Sequence, residues 1–315
     1  ASMAESTSSS IRFSAPPRPL DASFDLDALT SDGGLVWLAE ADAALGLCEA
    51  LAAEIPDWRT RRGRHTLHTL LQQRLYQIAC GYQDQNDATT LRHDPLLKQV
   101  CGRLPVSGTP LASQPTLSRL ENAVNRQTCY RLAVALGTVY LRERERDGVP
   151  RRILLDLDAT ADPVHGEQEG SAYHGYFRQH MYHPLLIFDG DTDQLITAVL
   201  RPGNSHASRG VVGILKRLIP ALRERWPGVP IALRADSGFA IPELYDYCEA
   251  EGITYTIGLV PNARLEVQAA PLLEQAMTQA DETGEKVRLI EETRYQAGSW
   301  ETERRVVYKA EALAK

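Results

Sequence analysis

The change from helical to strand periodicity near residue 150 restricts the folds open to this chain of 315 residues. From about Asp21 to Gly148, apolar residues recur every three or four positions, as in GGLVWLAEADAALGLCEALAAEI, which predicts helices. From Arg151 onward, the segments RILLDLD, HPLLIFDG and QLITAVLR have the length and apolar content of strands. We therefore expect a helical part followed by an α/β part.

The α/β part is predicted to have the element order β-β-β-α-β-α-β. After the three strands come a long amphipathic helix (SRGVVGILKRLIPALRERW), a strand (PIALRAD), a helix (IPELYDYCEAEG) and a strand (ITYTIGLV). Consecutive strands with short links are expected to be antiparallel, whereas a strand–helix–strand unit adds a parallel strand. This order predicts an RNase H-like mixed sheet flanked by helices, in which the first and fourth strands are neighbours.

Charge is unevenly distributed along the chain. The net charge is −7 over residues 1–56, +8 over residues 57–152 and −8 over residues 153–315. In the basic middle part, 15 of the 16 basic residues are arginine, which binds phosphate in a bidentate manner. The excess of positive charge over residues 57–152 is compatible with a solvated helical surface or with a phosphate-binding face. Charge alone does not distinguish these two interpretations.

Three aspartates are placed at the predicted strands of the α/β part. Asp156 and Asp158 interrupt the first strand and share one face of it, because side chains alternate along a strand. Asp236 ends the fourth strand, beside the end of the first. Two carboxylates brought together in this way suit a divalent metal ion. Strand-end aspartates also commonly cap the turns that follow them.

Two segments of the basic part are candidates for DNA contact. In PLASQPTLSRLENAVNR, Ser113 precedes a short helix with one polar face, as in the recognition helix of a helix-turn-helix. An ordinary amphipathic surface helix has the same pattern. The second segment, DWRTRRGRH, is an arginine-rich loop. The predicted DNA-binding residues are Arg59, Arg61, Arg62, Arg64, Ser113, Gln114, Thr116, Ser118, Arg119 and Asn122.

Dense motifs from about Phe24 to the C-terminus resemble one known family. They include QIACGYQDQNDATTLRHDPLLK, LDLDATADPVHGEQEGSAYHGY, QHMYHPLLIFDGDTDQLITAVLRPGN and LRADSGFAIPELYDYCEAEGITYTIGLV. The chain is similar to the bacterial insertion-sequence transposases of the DDE superfamily, in the group numbered thirteen-eighty. The resemblance implies an RNase H-like core and two Mg²⁺ ions, which Mn²⁺ can replace. It also implies cleavage and rejoining of DNA at terminal inverted repeats.

The resemblance implies two catalytic, metal-binding residues in this sequence. The D-x-T-like triplet falls on Asp158-Ala159-Thr160, the second acid falls on Asp236, and Asp156 is the alternative for the first position. The third acid of the family is a Glu beyond the last residue here, so none of the glutamates between Glu291 and Glu311 is assigned to it. We therefore expect a truncated chain that binds inverted-repeat DNA but neither cuts nor joins it.

The resulting expectations concern domains, partners and location. The expected partners are double-stranded DNA (terminal inverted repeats and target DNA) and a second copy of the chain, and we expect a cytoplasmic, nucleoid-associated protein without a membrane partner. The predicted parts are a disordered tail (1–20), a helical DNA-binding and dimerisation region (21–150), the RNase H-like catalytic core (151–265) and the start of a β-rich insertion (266–315).

Two alternative functions remain open at this stage. DLDAT also fits the motif of haloacid-dehalogenase-type phosphatases, in which Asp156 would be the nucleophile and Asp158 the general acid. That fold requires a parallel sheet around the motif. The other alternative is a non-catalytic DNA-binding relic of a transposase.

Overall fold

The computed structural model of the chain describes residues 11–13, 20–22, 29–60, 63–166 and 168–314. Arg61, Arg62 and most of the predicted disordered tail lie outside the described residues. The chain divides into two compact units, one formed by residues 1–150 and 160–203 and the other by residues 151–159 and 204–315.

Among the described residues up to 150, two short antiparallel strands precede a series of helices, and these helices agree with the helical periodicity of the sequence. Thr66, Asp94 and Asn125 accept hydrogen bonds from backbone N–H groups at the first turns of three of the helices, which explains where those helices begin. The elements are β1 (Ile11–Phe13), β2 (Leu20–Ala22), α1 (Leu35–Leu45), α2 (Leu47–Ala53), α3 (Leu67–Ala79), α4 (Ala88–Leu91), α5 (Pro95–Val100), α6 (Gln114–Asn122) and α7 (Arg126–Arg146).

Apolar faces of these helices pack into two buried clusters. The first contains Leu35, Tyr76 and Leu97, and the second contains Leu70 and Leu117. Tyr76 donates a hydrogen bond to the carboxylate of Asp42 at 2.9 Å, so a polar side chain of α1 is satisfied inside the first cluster.

The rest of the chain alternates strands and helices. Its elements are β3 (Ile153–Ala159), β4 (Asp162–Pro163), β5 (Ala172–His174), β6 (Gln179–Tyr182), β7 (Leu185–Asp189), β8 (Gln194–Val199), α8 (Val211–Arg225), β9 (Ile231–Ala235), α9 (Pro242–Ala250), β10 (Thr254–Ile257), α10 (Ala263–Thr283), β11 (Val287–Tyr295) and β12 (Arg304–Ala312).

A five-stranded mixed sheet has the order β10-β9-β3-β7-β8. β3 is parallel to β9 and β9 is parallel to β10, whereas β7 and β8 are antiparallel. Alternate residues of β3 and β9, including Leu155 and Leu233, are buried, as expected for strands of a sheet covered by helices. The predicted α/β class, with a mixed sheet flanked by helices, is confirmed, and the strands of this sheet follow one another with the predicted helices between them.

The segment between β3 and β7 differs from the prediction. The sequence suggested a link, but β4, β5 and β6 form a separate three-stranded antiparallel sheet. Gly203 lies against this sheet, and a Cβ at this position would come within 2.1 Å of the Met181 carbonyl oxygen. These strands have two to four residues, which is too short for a recognisable periodicity.

The C-terminal residues form a helix packed on a hairpin, in agreement with the predicted helical piece and two strands. α10 buries Leu272, Ala276 and Ala280 against β11 and β12, which are paired from Val287↔Ala312 to Tyr295↔Arg304. Within the described residues, no helix has the length and apolar character that crossing a membrane requires.

Arg304 connects this hairpin to α9. Its guanidinium donates hydrogen bonds to Asp246 at 2.5 Å and to Glu249 at 2.7 and 2.9 Å. It also lies 5.2 Å from the ring centres of both Tyr245 and Trp300. Only 5% of the Arg304 side chain is exposed, so these carboxylates and aromatic faces compensate for the burial of its charge.

Candidate active site

Asp158 and Asp236 occupy equivalent positions on two paired parallel strands. Leu157 of β3 is paired with Ala235, the last residue of β9. Asp158 is the next residue of β3, and Asp236 directly follows β9. Neighbouring strands are about 4.8 Å apart, so the two backbones are close at this edge of the sheet. Both aspartates are exposed. The pairing of β3 with β9 thus brings together the two residues that the resemblance assigned to catalysis.

Each aspartate uses one carboxylate oxygen in a local hydrogen bond. Asp158 Oδ1 accepts from the Ala159 N–H at 2.8 Å, and Asp236 Oδ1 accepts from the Gly238 N–H at 2.8 Å. The second bond caps the 3₁₀ turn Ser237–Phe239, so the turn-capping role considered for strand-end aspartates is present at Asp236. The Oδ2 atoms of both aspartates have no hydrogen-bond partner within the described ranges.

Asp156 is engaged by a different partner. It is paired in register with Arg234 of β9, whose guanidinium forms a two-point ion pair with its carboxylate, with an Nε to Oδ1 distance of 3.0 Å. The half-buried charge of Asp156 is therefore compensated by the guanidinium of Arg234. The ion pair and the mixed sheet also leave the phosphatase alternative unsupported, because that alternative requires a free Asp156 nucleophile and a wholly parallel sheet, whereas β7 and β8 are antiparallel.

Two glycines border the backbone at Asp236. A Cβ at Gly258 would lie 2.9 Å from the Ser237 nitrogen, and a Cβ at Gly238 would lie 3.0 Å from Asp236 Oδ1. Gly258 also donates its N–H to the Ala235 carbonyl at 3.0 Å. Larger residues at either position would require the Asp236 segment to shift.

No group of three or more His, Cys, Asp or Glu side chains is placed to hold a metal ion among the described residues. Two of the unassigned glutamates form local ion pairs on the C-terminal hairpin. Glu292 pairs with Arg305, and Glu311 pairs with the basic side chains of Lys286, Arg288 and Lys309. Hydrogen bonds from these partners, Lys286 first, lower the pKa of Glu311 to about 2. Both carboxylates therefore already have cationic partners in the hairpin.

The predicted DNA-contacting helix is present as α6. Leu117 and Leu120 are buried, whereas Arg119 and Asn122 are exposed and Gln114, Thr116 and Ser118 are partly exposed, as the amphipathic pattern predicts. Ser113 is the N-cap residue, but its hydroxyl pairs with the Thr116 hydroxyl at 3.3 Å and does not cap a backbone N–H.

The described arginines of the 57–65 loop differ in their contacts. Arg59 donates to both oxygens of Asp57 at 2.7 Å and to the His65 carbonyl at 2.6 Å, so its guanidinium links these two residues of the loop. Arg64 is exposed, and its backbone carbonyl accepts a hydrogen bond from Arg103 at 3.4 Å. Arg59 is therefore less available to an external phosphate than the sequence analysis assumed.

Comparison with known proteins identifies the family. The sequence model described as Transposase DDE domain group 1 matches residues 15–315. The chain belongs to this family of DDE transposases. It is thus related to enzymes of the polynucleotidyl transferase type, which generally use divalent metal ions. No curated protein matches the transposase sequence.

Two solved structures are similar to parts of this chain. A piggyBac transposase synaptic complex with hairpin DNA is 14% identical, with a TM-score of 0.40, and the match covers 84% of this transposase chain and 60% of the other. A simian T-cell lymphotropic virus intasome in complex with PP2A regulatory subunit B56 gamma is 15% identical, with a TM-score of 0.25 and 43% coverage of each chain. The transposase chain thus spans less than two thirds of either structure's matched chain.

Arg234 belongs to this site although the sequence did not predict it there. It lies two positions before Asp236 in LRAD, so it shares the face of β9 on which an ion pair with β3 can form. The sequence shows the alternation of side chains along β9, but it does not show the register of β3 and β9 that places Arg234 opposite Asp156.

Replacing Asp156 with Asn is expected to leave Mn²⁺ affinity within about twofold of wild type, because the Asp156 carboxylate is used by Arg234. The ion pair is partly exposed, so the stability loss should be about 1 kcal/mol or less. Calorimetric Mn²⁺ titration and thermal unfolding of the transposase measure both quantities. If Asp156→Asn lost Mn²⁺ binding and Asp158→Asn retained it, the metal ligand on β3 would be Asp156 and not Asp158.

Proposed function

We propose that this chain is a DNA transposase of the RNase H-like type that binds terminal inverted repeats and acts on phosphodiester bonds with Asp158 and Asp236. The observation that carries the proposal is the placement of these two aspartates at equivalent ends of β3 and β9, in a chain that belongs to the DDE family. The strand order β10-β9-β3-β7-β8 supports the RNase H-like assignment of the sheet.

The donor set at Asp158 and Asp236 fits Mg²⁺ or Mn²⁺. Both groups are exposed carboxylates, and these ions prefer oxygen ligands, commonly one or two carboxylates together with substrate phosphates. When bound, the metal supplies positive charge at the scissile phosphate and a more acidic bound water. The hydrogen bonds from Ala159 and Gly238 orient one oxygen of each carboxylate, which leaves the other oxygen of each for the ion.

A second candidate is a chain that binds DNA without cutting it. The observation in its favour is that the described residues bring two carboxylates, and no third acidic ligand, to this edge of the sheet. Two-metal catalysis depends on fixed coordination, so two protein carboxylates alone would hold the ions weakly.

A labelled duplex carrying the element end, incubated with the chain in Mg²⁺ or Mn²⁺ and analysed on a denaturing gel, distinguishes the two candidates. Nicking at the repeat boundary that Asp236→Asn abolishes supports the enzyme, whereas binding without nicking supports the non-cutting chain. Failure of the chain to bind the duplex contradicts both.

We further propose that DNA is contacted by α6 and by the arginine-rich loop, including Arg61 and Arg62. Replacing Arg119 with Ala is expected to weaken binding to the cognate repeat by about 1–3 kcal/mol if the exposed guanidinium contacts a guanine. Fluorescence anisotropy with cognate and scrambled duplexes measures this loss.

The matched control for Arg119→Ala is Arg294→Ala, which removes an exposed arginine from β11. An equal loss in both variants would indicate a general charge effect. No loss with either variant would show that the exposed face of α6 does not contact the duplex.

A further inference from the structure

A cleft of about 380 Å³ lies in the helical part of the chain, between the 57–65 loop and the start of α6. Its lining includes Trp58, Arg59, Arg64, His65, Arg92 and Arg119. None of the described lining residues is acidic. The 57–65 loop and α6 are distant in sequence, yet both supply basic side chains to this concave surface. Arg92, the residue that follows α4, supplies another.

The positive charge in this cleft is only partly compensated. Burial lowers the pKa of His65, and the nearby charges of Arg103, Arg64, Arg92 and Arg59 lower it further. Asp57 neutralises Arg59 through a two-point ion pair, but it does not line the cleft. Crowding of several cations around one imidazole is unfavourable unless an anion joins them.

Two buried nitrogen atoms of the cleft residues have no hydrogen-bond partner within the described part of the chain. They are Arg92 Nε and His65 Nδ1. Arg92 Nε always carries a hydrogen, and His65 Nδ1 carries one in the tautomer that donates from this atom. A buried polar group without a partner is costly, and the great majority of such groups in native proteins are satisfied. Arg92 Nε therefore indicates an acceptor that is supplied from outside the chain, and the same acceptor suits His65 Nδ1 in its donor tautomer.

Arg59 has a supporting role at this site. It donates to Asp57 and to the His65 carbonyl, which fixes the backbone on which His65 and Arg64 are carried. Gly63 makes room for it, since a Cβ there would come within 2.8 Å of Arg59 Nη1. These bonds hold the described residues Asp57, Arg59 and His65 together. The groups available to a ligand are on Arg64, His65 and Arg92.

We propose that this cleft binds one phosphate group of the DNA backbone, with Arg92 and His65 as its inner donors and Arg64 and Arg119 at its exposed side. The inference rests on the proposed function. DNA is favoured as the source of the phosphate because Ser113, Thr116 and Arg119 belong both to the cleft and to the polar face of α6. A phosphate held here would fix the register of α6 on the duplex.

The test is a titration of the ¹⁵N-labelled full chain, followed through the Arg92 Nε–H and His65 ring signals. Inorganic phosphate and a short duplex are added in separate experiments, and then together in competition. We expect both ligands to shift both signals and phosphate to compete with the duplex. Arg92→Gln should weaken duplex binding about tenfold for all sequences and reduce the salt slope by about one.

Arg294→Gln serves as the matched control, because it removes one exposed arginine from β11 without touching the cleft. Its affinity and salt slope should stay near those of the wild type. Arg92→Lys keeps the charge but loses the planar guanidinium, so it should retain part of the affinity. If Arg92→Gln does not fold, the wild-type titrations and Arg92→Lys still decide the question.

Several results would overturn the inference. Shifts with inorganic phosphate alone, with normal duplex binding by Arg92→Gln, would indicate a site for free phosphate. Unshifted cleft signals in a wild-type chain that binds the duplex would contradict this inference and leave the proposed function standing. A wild-type chain that binds no duplex would contradict the proposed function as well.

Discussion

Replacing Asp236 with Asn is expected to lower the affinity of the chain for Mn²⁺ by at least about 100-fold. The substitution removes one of the two carboxylates that β3 and β9 bring together, and it retains the shape of the side chain. Asn keeps an oxygen that can accept the Gly238 N–H, so the 3₁₀ turn after β9 should persist. The loss should therefore report on ligand charge and not on local unfolding. Calorimetry or electron paramagnetic resonance of Mn²⁺ measures it.

Asp281→Asn is the control for this prediction, because Asp281 is an exposed aspartate of the same unit, on α10. It should bind Mn²⁺ as the wild type does. Unchanged Mn²⁺ affinity in Asp236→Asn would exclude this aspartate as a ligand and with it the proposed active site.

Replacing Arg304 with Ala is expected to destabilise the chain by about 3 kcal/mol. The substitution leaves Asp246 and Glu249 without their partner and removes a cation from between two aromatic rings. Hydrogen bonds from Arg304 also hold the pKa of Glu249 below its usual range. The contribution of that carboxylate is present above its unfolded-state pKa and is lost as the pH falls through its lower folded-state pKa. The difference between variant and wild type should therefore shrink in acid.

Arg305→Ala offers the comparison, because it removes the next arginine along the same strand. Arg305 and its partner Glu292 are both more than half exposed, so the loss should be less than about 0.5 kcal/mol. Chemical denaturation of the three proteins at neutral and acidic pH measures these differences. Similar losses in both variants would show that Arg304 contributes no more than a surface charge.

Much of the α/β part could be predicted from sequence, because its strands are apolar runs bounded by turn residues. Ile153 to Leu157 and Leu185 to Asp189 lie within segments predicted as strands, and α8 shows a clear helical period. The small sheet formed by β4, β5 and β6 was missed, since its strands are short and mostly polar. Its formation depends on tertiary contacts, such as the packing of Gly203 against the Met181 carbonyl.

The candidate site was also predicted only in part, because some of its contacts depend on tertiary structure. Asp158 and Asp236 could be named from their places at strand ends and from the family resemblance. The partner of Asp156 could not, because it depends on the pairing of Asp156 with Arg234 across β3 and β9. The role of Arg59 was overestimated, since composition does not show that Asp57 and the His65 carbonyl take up its donors.

The pairing of β3 with β9 also has a consequence for the order of events during synthesis. Asp156 and Arg234 are 78 residues apart, so β3 leaves the ribosome well before the strand that neutralises one of its carboxylates. At common elongation rates this delay is about 4–16 s. During that interval β3, an apolar strand with two acidic side chains, lacks its parallel neighbour β9. Such a non-local contact forms late, so the candidate metal site is expected to be among the last features of the fold to mature.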